Sequence, residues 1–125
     1  MDELVLIVDD NEKNVKLARD VLRFAGFRTL EAMTGGEGIS LAAEHVPDVV
    51  LMDIRLPDMD GTDALRTLKG TQPTASIPVV ALTSFAMKGD RERLLAAGFD
   101  GYLEKPISVQ ELPEQVRGFC RAKEG

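Results

Sequence analysis

Four short apolar runs, each ending at a polar or charged residue, constrain this chain more than any other feature in it. Val49-Val50-Leu51-Met52 runs into Asp53, and Leu4-Val5-Leu6-Ile7-Val8 runs into Asp9-Asp10. Val79-Val80-Ala81-Leu82 runs into Thr83, and the weaker Gly101-Tyr102-Leu103-Glu104 runs into Lys105-Pro106. Runs of this length with no polar alternation read as strands buried on both faces, the pattern of a parallel sheet. In an open parallel α/β sheet, ligands bind in the crevice beyond the carboxyl ends of the strands. If the four strands are parallel, three carboxylates, a hydroxyl and an ammonium converge on one edge.

The segments between the runs carry helix signals. Asn11 is a cap for a helix whose apolar positions Val15, Ala18, Val21, Leu22 and Ala25 follow the 3.6-residue period, with Gly26 closing it. Phe27 to Ala32 reads as a further strand, and Thr34 caps a helix to about His45 that Gly35, Gly36 and Gly38 should soften at its start. After Asp53 come a loop over 54–61, a helix from about Thr62 to Lys69, and a polar loop over 71–78. A helix through Arg91, Leu94, Leu95 and Ala97 ends at Gly98, with a poor first turn over 87–90. Ser108-Val109-Gln110-Glu111 has the capping-box pattern of a last helix, and Pro113 leaves open a regular start at Pro113 itself. Strand and helix thus alternate five times, which predicts one parallel sheet with helices on both faces.

Residues 1–125 read as a single domain with a real core. No apolar run approaches a membrane span, and Met1-Asp2-Glu3 does not open a signal peptide. Cys120 is the only cysteine, so no internal disulfide is possible and a cytoplasmic location is the default. A net charge of −6 argues against direct contact with nucleic acid, which needs a basic face.

Carboxylates crowded at one point raise one another's pKa unless a cation sits among them. With oxygen the only ligand type at these strand ends, a hard octahedral ion fits, and Mg2+ meets that description. Such an ion also neutralises the oxygens of an arriving phosphoryl group, which makes Asp53 a candidate nucleophile carrying an acyl phosphate. Lys105 would pair with one phosphoryl oxygen and the Thr83 hydroxyl would bond another.

Asp9-Asp10, Asp53, Thr83 and Lys105-Pro106, in that order at successive strand ends, resemble the receiver domain of two-component response regulators. The likeness spans essentially the whole chain, and all the pieces in register make a specific signal. It implies a flavodoxin-like fold with strand order 2-1-3-4-5, Asp53 as phosphoacceptor, and Mg2+ held by Asp10 and Asp53 directly and by Asp9 mostly through water. It also implies a ligand from the Arg55 carbonyl, a cis Lys105-Pro106 bond, and a switch in which Thr83 and Tyr102 move together. Phe85 to Asp90 and Lys105 to Ser108 resemble the free-standing, DivK-like receivers. Bulky Arg55 and Phe85, each two residues beyond Asp53 and Thr83, then imply a long-lived phosphoryl group.

The resemblance implies a signalling protein, not an enzyme. Its partners would be a histidine kinase or phosphotransfer protein upstream and a protein target downstream, with the surface of the fourth helix, fifth strand and fifth helix as output. An Mg-dependent phosphatase would usually place a second acid two residues past the nucleophile, where this chain has Arg55. A flavodoxin-like cofactor binder would need a phosphate-cradling loop where Asp9-Asp10-Asn11 would repel one. A receiver cut from a hybrid histidine kinase is the remaining alternative.

Overall fold

A computed structural model describes residues 3–84 and 88–124, with side chains at Lys88 and at 121–124 left aside. Five strands, β1 (Leu4–Val8), β2 (Arg28–Ala32), β3 (Val49–Asp53), β4 (Val79–Thr83) and β5 (Gly101–Glu104), form one sheet in the order β2-β1-β3-β4-β5. Every pairing is parallel. The intervening helices are α1 (Glu12–Phe24), α2 (Gly35–His45), α3 (Gly61–Lys69), α4 (Lys88–Ala97) and α5 (Leu112–Glu124).

Strand periodicity divides the core into two layers. Val5, Ile7, Val49, Leu51, Val80 and Leu82 face α1 and α5, where they meet Val15, Ala18, Leu22, Leu112 and Val116. Leu6, Val8, Val50, Met52, Val79 and Ala81 face the other way, against Ala42, Ala64, Leu65, Leu68 and Leu94. All five residues of β3 and all five of β4 are buried, as strands covered on both faces must be. Each fully buried aliphatic side chain contributes roughly 1.5–3 kcal/mol of transfer free energy. The strand ends, and hence their polar residues, are fixed in register by this packing.

Local signals set where the helices begin. Asn11 accepts from the amides of Lys13 and Asn14 and starts α1 immediately after the acidic pair. Thr34 Oγ accepts from Glu37 N at 3.1 Å while a Glu37 carboxylate oxygen accepts from Met33 N at 2.8 Å, a reciprocal cap that starts α2. The glycines of α2 prove to be contact points: a Cβ on Gly35 would fall 2.6 Å from Met59, and one on Gly38 would fall 2.8 Å from Val8. The softness expected there is offset by close packing.

Some boundaries differ from the sequence reading. The loop over 71–78 holds a short 3-10 turn, Thr74–Ser76, because the Thr74 hydroxyl donates to the Leu68 and Thr71 carbonyls. Residue Gly61 already belongs to α3, and α5 begins at Leu112, one residue before Pro113, with Ser108 Oγ accepting from Glu111 N. Cys120 is buried in the core on the α5 side of the sheet. Lys105-Pro106 is cis, and so is Gln72-Pro73. Phe85 and the first part of the poor turn over 87–90 lie outside the described residues.

Candidate functional site

The register of the sheet carries β1 and β3 side by side, with Val8 opposite Met52. Asp9 and Asp53, each the next residue along, therefore emerge together at the carboxyl edge, and Asp10 follows on the loop into α1. Carboxylate oxygens of Asp9, Asp10 and Asp53 all lie within 4.8 Å of one another. Asp9 is fully buried and Asp53 is 8% exposed, whereas Asp10 faces solvent.

The cis peptide at Lys105-Pro106 follows β5, and Lys105 N donates to the Thr83 carbonyl at 2.8 Å. From there the Lys105 ammonium reaches Asp53 Oδ2 at 2.8 Å and Asp9 Oδ2 at 3.1 Å. The other oxygens are held by backbone: Asn11 N donates to Asp9 Oδ1 at 3.0 Å, and Arg55 N donates to Asp53 Oδ1 at 3.0 Å. Burial pushes the Asp9 carboxyl upward, and the neighbouring Asp53 charge adds to that, against the Asn11 amide and Lys105. Burial also works against the Lys105 charge, but its hydrogen bonds to Asp53 and Asp9 outweigh it and hold the ammonium above the ordinary lysine value.

Above these groups opens a cleft of about 350 Å³ lined by Asp10, Asn14, Asp53, Arg55, Ser84 and Lys105. A larger cleft of about 480 Å³ lies elsewhere, between β5 and α5, with Tyr102, Ile107 and Leu112 in its walls. The charged groups converge on the smaller one. Carboxylates of three residues within 4.8 Å of one another give an all-oxygen donor set, the kind that a hard ion such as Mg2+ would take.

Asp9, Asp10, Asp53 and Lys105 are thus brought together, with Arg55 in the wall of the same cleft. Thr83 is not among its lining residues. It is buried on β4 one residue beyond Leu82, the register partner of Asp53, and borders a separate hollow of about 180 Å³ with Ile54 and Leu94. Tyr102 is half-buried on the neighbouring strand, with the Arg91 guanidinium 5.4 Å from its ring centre. Asn14 and Ser84 escape the sequence reading. Asn14 stands one helical turn past the cap and sends Nδ2 to Asp9 Oδ2 at 3.5 Å, so the helical period was the signal that could have found it.

The response regulator receiver domain model matches residues 5–117. The chain belongs to the response regulator receiver family. It is 44% identical to the polar-differentiation response regulator DivK of Brucella ovis over 119 residues, covering 95% of this chain and 97% of that protein. A receiver domain of a sensor histidine kinase from Pseudomonas aeruginosa, solved with a magnesium ion coordinated in the active site cleft, superposes with a TM-score of 0.87. That pair is 33% identical and covers 97% of this chain and 99% of the other. A response regulator structure from Chloroflexus aurantiacus gives a TM-score of 0.90 at 28% identity, covering 97% and 99%. This receiver has the five-stranded flavodoxin-like fold of its family and a phosphoacceptor signalling role, and its acidic cluster fits a magnesium site.

The loop from β3 to α3 is tied down beside the cluster. Gly61 N donates to the Ile54 carbonyl, Arg55 and Asp60 form an antiparallel bridge, and a Cβ on Gly61 would stand 2.7 Å from the Asp53 carbonyl oxygen. At its tip the Asp58 carboxylate accepts from Gly36 N at 2.9 Å and Gly35 N at 2.8 Å, and these amides hold its pKa below the ordinary carboxylate value. A carboxyl depressed in the folded state stabilises fully above its unfolded pKa and loses that contribution as pH falls through the folded value. The melting-temperature difference between the wild type and Asp58→Asn should therefore be largest near neutrality and vanish in strong acid, as thermal unfolding across pH would register.

Proposed function

We propose that Asp53 accepts a phosphoryl group from a histidine kinase or phosphotransfer protein, with Mg2+ held by Asp10, Asp53 and the Arg55 carbonyl, and by Asp9 mostly through water. The observation that carries this reading is the Lys105 ammonium set between two buried carboxylates inside an all-oxygen cluster. In the transfer, an Asp53 carboxylate oxygen forms the new bond to phosphorus while the bond to the donor imidazole nitrogen breaks. The imidazole leaves with its electron pair and takes up a proton. Magnesium, when bound, neutralises the phosphoryl oxygens and the repulsion among the carboxylates. Lys105 keeps Asp9 as one partner and turns a second N–H onto a phosphoryl oxygen, and the Thr83 hydroxyl donates to another.

The switch in this reading joins Thr83 and Tyr102, which lie on the paired strands β4 and β5. Drawing Thr83 toward the phosphoryl group changes the hollow it borders with Leu94, and Tyr102 turns inward, leaving Arg91 and reshaping the cleft between β5 and α5. Of the described side chains of α4 only Leu94 is buried, while Leu95 is 49% exposed. That helix has few contacts to lose, which suits a moving part. The output is a contact with a downstream protein. We place the receiver in the cytoplasm, acting as a signalling protein with only slow self-dephosphorylation, and assign it no direct contact with nucleic acid. Among the described residues no helix is long and apolar enough to cross a membrane. The phosphoryl group should be long-lived, because bulky Arg55 obstructs the approach of water; Phe85, expected to act beside it, lies outside the described residues.

Incubation with a small acyl phosphate and magnesium should add the mass of one phosphoryl group to the wild-type chain. An unchanged intact mass across a range of donors and magnesium concentrations would contradict the proposal.

A further inference from the structure

The acceptor loop is anchored at both ends by different means. Its base is closed by the Ile54–Gly61 hydrogen bond and the Arg55–Asp60 bridge, which adjoin Asp53 itself. Its tip, Pro57-Asp58-Met59, lies on the first turn of α2: Asp58 accepts from two successive helix amides and Met59 fills the space left by the missing side chain of Gly35. A carboxylate on the free amides of a helix start makes charge-assisted bonds favoured by the helix dipole. Arg55 is one end of the bridge at the base, two residues before Pro57 in the chain, and its N–H holds Asp53 Oδ1.

We infer that Asp58 is a positioning residue, which by joining the tip of the acceptor loop to α2 keeps the Arg55 peptide in register with the Asp53 carboxylate. This rests on the phosphoacceptor reading of Asp53. Groups that orient the ligands of a metal act on its affinity without touching it. Asp58 stands in that relation to Arg55, and α2 becomes part of the scaffold of a site to which it contributes no ligand.

A purely structural role is separable, because Thr34 caps the same helix and has no bond to the loop among those described. Asp58→Ala, Asp58→Asn and Thr34→Ala should be compared with wild type in magnesium titration calorimetry, thermal unfolding, and hydrogen exchange at the Arg55 amide. Asp58→Ala should bind magnesium roughly tenfold more weakly, the low end for outer-shell partners of metal ligands, and exchange the Arg55 amide faster. Asp58→Asn, with one carbonyl acceptor left, should fall between. Thr34→Ala should lower the melting temperature while leaving both readouts at the wild-type level. Equal magnesium affinity and Arg55 exchange in Asp58→Ala and Thr34→Ala would overturn the inference. If the wild type itself binds no magnesium, the phosphoacceptor reading fails instead, and the exchange comparison still decides whether Asp58 positions the loop.

Discussion

Asp53→Asn should remain at its unmodified mass after incubation with an acyl phosphate and magnesium, under conditions that fully modify the wild type. A carboxamide oxygen is a poor nucleophile, and removing the attacking group costs roughly three or more orders of magnitude in rate. The fold should survive. Lys105 retains Asp9 at 3.1 Å as a partner, and one of three mutually repelling charges is gone. Thermal unfolding in magnesium-free buffer should therefore show a melting temperature no lower than that of the wild type. Residual modification at the wild-type rate would move the chemistry to another residue.

Lys105→Met should have the opposite profile, with a large effect on stability. The ammonium is 15% exposed and lies between Asp9, whose side chain is 1% exposed, and Asp53, at 11%. Methionine fills the space but leaves two buried carboxylates facing each other. Breaking a buried ion pair by deleting one partner costs roughly 3–5 kcal/mol. The sign of the pH dependence follows from the direction in which Asp9 is already pushed. Its carboxyl lies above the ordinary value even beside Lys105, and loss of the ammonium raises it further. The penalty is then present above that raised pKa and is relieved as pH falls through it. Urea unfolding without magnesium should show a loss that shrinks as pH is lowered stepwise from neutrality, and saturating magnesium at neutral pH should shrink it too. A loss unchanged by either pH or magnesium would mean that packing, not charge, is what Lys105 supplies.

Much of the fold was legible in the sequence, because its strands are buried on both faces and so write themselves as uninterrupted apolar runs. Asn11 and Thr34 marked helix starts through local chemistry that depends on residues two or three positions away. The strand order followed from the family resemblance, not from the pattern of residues. What stayed hidden depends on long-range register. Gly35 and Gly36 read as a soft helix start because nothing local reveals that Asp58 and Met59, more than twenty residues along the chain, will dock there. The convergence of Asp9, Asp10, Asp53 and Lys105 was foreseen from strand ends alone, since parallel strands put those ends at one edge; Thr83, expected with them, instead borders a separate hollow. That Lys105 would bridge Asp9 as well as Asp53 was not, because it turns on the path of the chain beyond β5. Tyr102 carried no signal of its own beyond a half-apolar strand position, and only the resemblance singled it out.

The central claim is that one particular carboxylate carries the phosphoryl group, and its chemistry can be trapped. An acyl phosphate is reduced by borohydride to an alcohol, which would convert the acceptor aspartate to homoserine. Peptide mapping of the phosphorylated and reduced wild-type chain should find homoserine at position 53 and aspartate unchanged at positions 9 and 10. Homoserine at either of those two positions, or a stable phosphoryl group on His45 with none at 53, would contradict the account.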